Sequence, residues 1–294
     1  MSESLNILVV GGSRHIGYYA ALRFLEAKST VHFLLRNPSV FDGDAAIQKH
    51  VRAGGARLHK GDALNEGETR AVWLEASKER PVDLLLFTVG FTGNPKFHLT
   101  KGFRIDPANL VTQCILNLLC TMPKGSHTEP IPTKVIMLST SGVTRASRTR
   151  VPIPLKAMYG YLIAHPLADK FATERIIAYC AGWDSDGSSK AGQTKTKWDG
   201  TREGEPSEAL TGPKWKERVG LPAPGTLRNA MILRASLLND GECRADAAGR
   251  SAYKVGEGEL GGYNISRKDV AYCIFETVTK SWEEYGDKQI NVTY

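Results

Sequence analysis

The segment NILVVGGSRHIGYYAAL, residues 6–22, places two glycines, Gly11 and Gly17, between an apolar run and a segment with helical spacing. The first glycine allows a tight turn after a strand, and the last allows the next helix to pack closely on that strand. The backbone N–H groups at the start of such a helix bind phosphate. The sequence therefore predicts a turn that holds the pyrophosphate of a dinucleotide. The predicted loop consists of Gly11, Gly12, Ser13, Arg14, His15, Ile16 and Gly17.

The end of the second predicted strand, FLLRNPS, indicates which dinucleotide is bound. An acidic residue about twenty positions after the glycines binds the ribose hydroxyls of NAD. Arg36 stands there instead, and the next acidic residue is Asp42. A cation suits a 2′-phosphate, so we expect NADP(H), with Ser13 and Arg14 completing the phosphate pocket. Asp62, after the third predicted strand, is interpreted either as a contact for the adenine amino group or as the N-cap of the following helix.

The elements that must position these residues follow from hydrophobic periodicity. Apolar, β-branched runs alternate with helical patterns, which is typical of a parallel sheet covered by helices on both faces. Right-handed crossovers then give a Rossmann-type, doubly wound α/β fold, here with a small C-terminal substrate lobe. The predicted strands are 6–12, 30–36, 56–62, 82–90, 133–142, 227–237 and 288–294, and the predicted helices are 16–28, 42–54, 65–79, 107–122, 167–183 and 266–282.

Ligands of such sheets bind at the carboxyl ends of the strands. The segments expected to line one crevice are residues 11–17, 36, 62, 88–91 and 139–141. A single NAD(P)-binding domain over residues 1–294 is expected from the length. One segment, 184–224, is rich in Gly, Ser, Lys and Glu and is too long for an ordinary connection. We interpret it as a flexible surface insertion. The alternative is a lid that places Trp198 and Trp215 over a pocket.

Several motifs in order resemble the atypical short-chain dehydrogenase/reductases of the NmrA-like, NAD(P)H-binding group. These are GGSRHIG for the glycine loop, LADKFATERII for the helix after the fifth strand, NAMILRASLLNDGE for the sixth strand and its turn, and ISRKDVAYCIFE for the late helix. The resemblance covers most of residues 6–285 and implies a Rossmann fold, a nicotinamide cofactor and a small-molecule site by the C-terminal part. The chain departs from it at Arg14 and His15, where the atypical and classical members respectively carry glycine.

The resemblance also implies catalytic positions. Such enzymes commonly use a tyrosine, a lysine four residues later that lowers the pKa of the tyrosine and holds the nicotinamide ribose, and a serine on the preceding strand that binds the substrate oxygen. Ser139 and Lys170 stand at the serine and lysine positions, and Gly90 is expected under the adenosine ribose or the nicotinamide side. Pro166 stands four residues before Lys170, where the tyrosine belongs, and proline cannot donate a proton. Alternatively, Lys170 forms a surface pair with Glu174 at i,i+4 spacing.

Three explanations of the missing tyrosine stay open. Tyr159, Tyr161 or His165 supplies the proton from just upstream, and Pro166 lies in the first turn of the helix. In the second explanation, the hydride acceptor is a flavin, quinone or activated alkene that water protonates. In the third explanation, the protein binds NADP(H) and senses redox state without turnover.

The prediction is an NADP(H)-dependent oxidoreductase, a reductase of a small, hydrophobic or aromatic carbonyl or conjugated substrate. Its catalytic candidates are Ser139, Tyr159, Tyr161 and Lys170. The alternatives are the redox sensor and a non-redox isomerase or lyase on the same scaffold. Arg267 and Asp269 of the late helix are interpreted as a surface charge and a cap.

Composition narrows the class of protein. The net charge of +7 is interpreted as a solvated basic surface or as an attraction for an anionic cofactor. No nucleic-acid motif occurs and aromatics do not interleave with the basic residues, so no nucleic-acid partner is expected. No run of about 18 apolar residues predicts a membrane span. Five scattered cysteines without a CxxC pair favour reduced thiols, a cytoplasmic location and no metal site. The expected partner is a small-molecule substrate, and the oligomeric state stays open.

Overall fold

A computed structural model describes residues 4–90, 102–123, 130–144, 161–183 and 204–294, with the backbone of residues 96–98. The strands are β1 (Asn6–Val10), β2 (Thr30–Leu35), β3 (Ala56–Lys60), β4 (Leu84–Phe87), β5 (Lys96–His98), β6 (Gly102–Arg104), β7 (Lys134–Thr140), β8 (Ala230–Ala235), β9 (Leu237–Asn239), β10 (Lys254–Gly256), β11 (Asn264–Ser266) and β12 (Lys288–Thr293). The helices are α1 (His15–Glu26), α2 (Ala45–Arg52), α3 (Glu66–Ala76), α4 (Leu110–Thr121), α5 (Ala164–Ala181), α6 (Glu208–Thr211), α7 (Ala245–Ala248), α8 (Arg267–Lys280) and α9 (Trp282–Tyr285), with 3-10 turns at Pro38–Phe41, Trp215–Glu217 and Gly249–Ala252.

The predicted α/β fold is confirmed. In the described ranges, eight strands form one sheet in the order β3-β2-β1-β4-β7-β8-β12-β10. Neighbouring strands in this sheet run parallel, apart from β10, which pairs antiparallel with β12 at the edge. Each predicted strand and helix corresponds to an observed one, with ends that differ by a few residues. The elements that periodicity missed, among them β5, β6, β9, β11, α6 and α7, are three or four residues long.

Both faces of the sheet are covered, which explains why its strands are apolar throughout. Alternate residues of β1 serve the two sides: Val9 packs in the cluster that contains residues of α1 and α8. Leu8 packs in the cluster that contains residues of α3, α4 and α5. Because the β period is two, consecutive apolar residues fill both layers of core. The strand ends at the carboxyl edge are therefore bounded by helices on either side.

Helix α5 is joined to α4 by a buried carboxylate. Asp169 of α5 accepts hydrogen bonds from the backbone N–H groups of Val111 and Thr112, at 2.8 and 2.9 Å. These groups lie in the first turn of α4, where a helix has no internal partners for its N–H groups. Asp169 therefore replaces a local N-cap, and it holds the α5 turn that contains Lys170 against the neighbouring helix.

The C-terminal lobe is built after β8 from the parallel pair β9 and β11, helix α7 and the turn that follows it. Ser266 is the N-cap of α8, and its Oγ accepts from the N–H of Asp269 at 2.9 Å. Asp269 is buried, and its carboxylate accepts from Ala245 N–H at 2.8 Å and from the Tyr294 hydroxyl at 2.5 Å. The interpretation of Asp269 as the cap is therefore corrected, because it ties the lobe to the end of the chain.

Residues 204–224, the second half of the predicted insertion, are packed on the helices. Trp215 is 8% exposed and lies edge-on to Tyr179 of α5, with ring centroids 5.2 Å apart. Arg218 pairs with Glu66 at 3.0 Å, and Gln113 Nε2 donates to the carbonyl of Leu210 at 2.9 Å. The expectation of a flexible segment is wrong for this half, because a buried indole and helix-to-segment hydrogen bonds hold it. Residues 184–203, with Trp198, lie outside the described residues.

Two further observations concern the apolarity of the helices and the state of the cysteines. None of the helices in the described ranges is long and apolar enough to cross a lipid bilayer. All five cysteines are described, and each is buried and outside any disulfide.

Candidate functional site

The glycine turn packs its backbone directly against the end of β4. Gly11 has a φ of +91°, in the left-handed region that favours glycine. A Cβ at this position would lie 2.6 Å from the backbone nitrogen of Val89. Gly11 therefore makes the tight turn that the sequence predicted, and it also brings the backbone of this turn close to the end of β4.

Gly17 is required by the packing of α1 on that turn. A Cβ here would overlap Thr88 Oγ1 and would lie 2.8 Å from the carbonyl oxygen of Gly11. Thr88 Oγ1 also donates to this carbonyl, at 3.1 Å. Thr88 was expected only as a member of the segment 88–91. Its position one residue past a buried strand is the signal that could have identified it.

The N-terminus of α1 presents backbone donors. Arg14 is the N-cap residue, with extended backbone and no side-chain cap bond, and the first turn contains no acidic residue. The first-turn N–H groups, which the Arg14 side chain does not cap, and the positive end of the helix favour an anion here. Ser13 is partly exposed and Ile16 is buried beside them.

His15 takes over a conformation that usually needs glycine. Its φ is +56°, so the chain keeps the left-handed turn at a position where a Cβ makes that turn less favourable. Burial lowers the pKa of His15, and the nearby charges of Arg267 and Arg14 lower it further. The imidazole is therefore neutral at pH 7.

Arg36 lies next to the turn in space. It directly follows β2, whose Leu34 pairs with Val10 of β1, so the two strands end side by side. The residue is exposed, and within the described ranges its guanidinium has no carboxylate partner. A cation in this position is available to an anionic ligand.

Asp62 occupies the turn after β3. Its Oδ1 accepts from the N–H of Leu64 at 2.9 Å, and its own N–H donates to Glu68 at 2.6 Å. The N-cap of α3 is Asn65, which accepts from the N–H of Gly67 at 2.9 Å. The interpretation of Asp62 as the helix cap is therefore wrong, and its contact with adenine stays a prediction.

Lys170 connects the ends of two strands. Its Nζ donates to the carbonyl oxygens of Val89 and Leu138, each at 2.6 Å, and so joins the segment after β4 to β7. Burial lowers the pKa of Lys170 to about 8, while the charges of Asp169 and Glu174 oppose the shift. The ammonium form still predominates at pH 7. The structure thus places the predicted lysine at the predicted edge.

The surface pair between Lys170 and Glu174 is wrong as an interpretation. Glu174 is buried, and it forms a bidentate salt bridge with Arg234 of β8. Sequence reasoning missed Arg234. An arginine inside the apolar run AMILRASL was the available signal, because a buried guanidinium needs a carboxylate partner.

Ser139 lies beside this group. It follows Leu138 in β7 and is the register partner of Arg234. The residue is 6% exposed, and its Oγ is buried with no hydrogen-bond partner in the part of the chain that the structure describes. Buried hydroxyls almost always have a partner, so this oxygen is a candidate for a bond to a ligand.

The candidate proton donors are less completely described. Tyr161 is 39% exposed and precedes α5, and Pro166 is buried in the first turn of that helix, as expected. Tyr159 lies outside the described residues. Gly90 follows β4, and among the described residues a Cβ there would meet only Thr88 O, 3.9 Å away.

Together these residues fit a nicotinamide dinucleotide. The glycines leave a cradle that side chains would fill, the first turn of α1 offers backbone N–H groups, and Arg36 offers a cation. An orphaned hydroxyl and an ammonium lie further along the same edge, at β7 and β4. Among the described residues, no group of three or more His, Cys, Asp or Glu could hold a metal ion.

Comparison with known proteins supports the fold. No family model matches the sequence. The chain is 29% identical over 164 residues to the reductase pytE of Aspergillus terreus, an alignment that covers 54% of this chain and 48% of the relative. The chain thus spans about half the length of that curated relative.

The structures of several other proteins align with nearly the whole chain. ChuY, an anaerobilin reductase from Escherichia coli, matches with a TM-score of 0.55 at 14% identity, over 98% of this chain and 96% of that one. A short-chain dehydrogenase from Burkholderia cenocepacia in complex with NADP matches with a TM-score of 0.56 at 15% identity, over 98% and 96%. A short-chain dehydrogenase from Streptomyces avermitilis gives 0.57 at 13% identity, over 99% and 89%. The resemblance to short-chain dehydrogenase/reductases is confirmed at the level of the fold.

Proposed function

We propose that this protein is an NADP(H)-dependent oxidoreductase that reduces a small, hydrophobic or aromatic carbonyl or conjugated substrate. One observation carries the proposal: the glycine turn follows β1 and Arg36 follows the neighbouring strand β2. Both therefore lie at the carboxyl edge of the sheet, where Lys170 and Ser139 also lie. A relative that is named a reductase and a similar structure in complex with NADP support it. The atypical, NmrA-like type belongs to the same proposal.

The cofactor is held by three parts of this edge. The N–H groups of the Gly11–Gly17 turn and of α1 bind the pyrophosphate, with Arg14 beside them. Arg36 binds the 2′-phosphate, which NAD lacks. Asp62 accepts a hydrogen bond from the adenine amino group. When bound, NADPH supplies the hydride for the substrate.

The protein's own groups act on the substrate oxygen. Ser139 Oγ donates a hydrogen bond to it, which gives the orphaned hydroxyl a partner. The Lys170 ammonium, held by the carbonyls of Val89 and Leu138, stabilises negative charge that develops nearby. Tyr161, or Tyr159 in the segment before it, is the candidate proton donor.

A second candidate function is that of an NADP(H)-binding redox sensor. Pro166 is buried four residues before Lys170, so the usual tyrosine hydroxyl is missing from that turn of α5. A protein that binds the cofactor and does not turn it over needs no such acid. A proton donor elsewhere, or a substrate that water protonates, keeps the enzyme hypothesis consistent with this proline.

The test is a titration of NADPH and NADH against wild type, Arg36→Ala and Arg52→Ala. Arg52 is a matched control, since it is an exposed arginine at the end of α2. We expect Arg36→Ala to weaken NADPH binding by roughly tenfold or more, the scale of one charged hydrogen bond, and to leave NADH binding unchanged. Equal losses for both cofactors would refute the role of Arg36. No binding of either by folded wild type would refute the proposal.

Turnover is tested separately, by following NADPH oxidation against a panel of carbonyls, quinones and flavins. Oxidation that falls in Ser139→Ala and Lys170→Met supports the reductase. Stoichiometric binding without oxidation of NADPH across the panel favours the sensor. Substrate conversion without net cofactor consumption favours an isomerase or lyase.

A further inference from the structure

Helices α1 and α8 run side by side on one face of the sheet. The rings of Phe24 and Phe275 lie 5.2 Å apart, and the Arg23 guanidinium lies 4.9 Å from the centre of the Tyr272 ring. The four contacting residues lie five to nine positions, or roughly 8–14 Å of helix, after the first residue of their helices, and the contacts advance along both helices in the same direction. Both helices therefore begin at the same edge, and the first residue of α8, Arg267, comes close to the glycine turn.

The electrostatics of the turn agree with this geometry. The charge of Arg267 is among the causes that lower the pKa of His15, after burial, and Asp240 opposes it. Arg267 and Asp240 therefore lie near His15, although they are more than 200 positions away along the chain. Ser266 fixes the start of α8, because its Oγ accepts from Asp269 N–H at 2.9 Å.

The partner of Arg267 comes from the C-terminal lobe. Its Nη1 lies 2.8 Å from Asp240 Oδ1, just after β9. The Asp240 side chain is 72% exposed and that of Arg267 is 22% exposed, so water screens the carboxylate more than the guanidinium. Exposed ion pairs are weak, and a guanidinium binds phosphate oxygens at least as well as a carboxylate. Exchange of Asp240 for a phosphate ligand therefore costs little.

We propose that Arg267 is a second cation for the pyrophosphate, supplied by the start of α8, and that Asp240 competes with the phosphate for it. This inference rests on the proposed dinucleotide site. It assigns the two arginines to different parts of the cofactor. Arg36 reads the 2′-phosphate that distinguishes NADP from NAD, whereas Arg267 contacts the pyrophosphate that both contain. Cofactor binding would then also release the Asp240 carboxylate from Arg267.

The experiment compares two changes with two matched controls. Lys268 is the next residue along α8 and pairs with Glu242 of the same lobe at 2.7 Å, so Lys268→Gln and Glu242→Gln remove the same charges from the neighbouring pair. NADPH and NADH are each titrated against wild type, Arg267→Gln, Asp240→Asn and the two controls, at one fixed ionic strength.

We expect Arg267→Gln to weaken the binding of both cofactors by about tenfold, which corresponds to about 1.4 kcal/mol. Asp240→Asn should tighten both by roughly threefold, the scale of a lost exposed ion pair. Lys268→Gln and Glu242→Gln should bind as wild type does. A gain in Glu242→Gln equal to that in Asp240→Asn would show only general charge screening and would overturn the inference.

Two other results would overturn it as well. Arg267→Gln with unchanged affinity for both cofactors would exclude the contact, and a loss confined to NADPH would move Arg267 to the 2′-phosphate. If Arg267→Gln fails to fold, Asp240→Asn decides alone, because its expected effect is a gain. Failure of the proposed function is distinguishable, since wild type would then bind neither cofactor.

Discussion

Glu174 and Arg234 form a buried bidentate salt bridge between α5 and β8. Arg234 Nε donates to Glu174 Oε1 at 3.0 Å, and Nη2 donates to Oε2 at 2.6 Å. The two side chains are 0% and 3% exposed, respectively. Glu174 lies one turn after Lys170, and Arg234 is the register partner of Ser139. The salt bridge therefore joins the helix that carries Lys170 to β8, the strand beside the one that carries Ser139.

Breaking this salt bridge should be costly. Glu174→Gln removes the carboxylate that pairs with the buried Arg234 in the described part of the chain, so we expect the free energy of unfolding to fall by about 3 kcal/mol or more. Urea unfolding measures this. The double variant Glu174→Leu with Arg234→Met removes both charges and should recover much of the loss. A loss below about 1 kcal/mol in the single variant would show that water reaches the arginine.

Ser139 and Ser236 provide a pair of buried hydroxyls with opposite expectations. Ser139→Ala removes an oxygen without a partner in the described chain, so stability should be unchanged or raised while NADPH oxidation falls. Ser236 Oγ donates to Thr293 Oγ1 at 2.9 Å, so Ser236→Ala should lose about 1 kcal/mol and keep its oxidation rate. Thermal unfolding and a cofactor-oxidation assay test both. A Ser139→Ala protein with full activity would remove this serine from the proposed site.

Gly17 should not tolerate a methyl group. In Gly17→Ala the new Cβ meets Thr88 Oγ1 and the Gly11 carbonyl, so α1 must move away from the turn. We expect a destabilisation of about 1–3 kcal/mol and weaker binding of both NADPH and NADH. Gly43→Ala is the control, because a Cβ there meets nothing within 4 Å. Wild-type affinity in Gly17→Ala would mean that the close approach of α1 is not needed for the phosphates.

The stability of the sheet edge should depend on pH through His32. Its Nδ1 lies 2.9 Å from His59 Nε2, and burial, followed by the charge of His59, lowers the pKa of His32 to about 4. In the unfolded chain the pKa is about 6.5. Between these values the unfolded chain binds a proton that the folded protein refuses. The free energy of unfolding should therefore decrease as the pH falls from about 6.5 towards 4, by up to about 3 kcal/mol. Above about pH 6.5 the contribution of His32 to stability is fully present.

Urea unfolding of wild type and His32→Phe at two pH values tests this dependence: pH 7.5, about one unit above the unfolded pKa, and pH 5, about 1.5 units below it. Protonation of carboxylates also lowers the free energy of unfolding at the lower pH in both proteins. The quantity to compare is therefore the difference between the losses of wild type and His32→Phe. We expect a smaller loss in His32→Phe. Equal losses would show that protonation of this histidine is not linked to unfolding.

The sequence by itself determined the layers of the fold and the position of the dinucleotide turn. The runs NILVV and LLLF are apolar at every position because both faces of the sheet are covered, and this pattern is local. The spacing of Gly11 and Gly17 is likewise a local requirement of a strand, a turn and a helix. Arg36 was placed at the same edge because parallel strands that are neighbours end together.

Only the tertiary structure decided which distant side chains meet. Periodicity identifies buried faces and says nothing of the partner across a layer. The i,i+4 spacing therefore offered Lys170 as a partner for Glu174, whereas the actual partner of Glu174 is the buried Arg234, 60 positions along the chain. The two carbonyls on Lys170, the packing of Trp215 on Tyr179 and the approach of Arg267 to His15 have the same origin. Each depends on how crossovers place helices on the sheet, which is a property of the assembled layers.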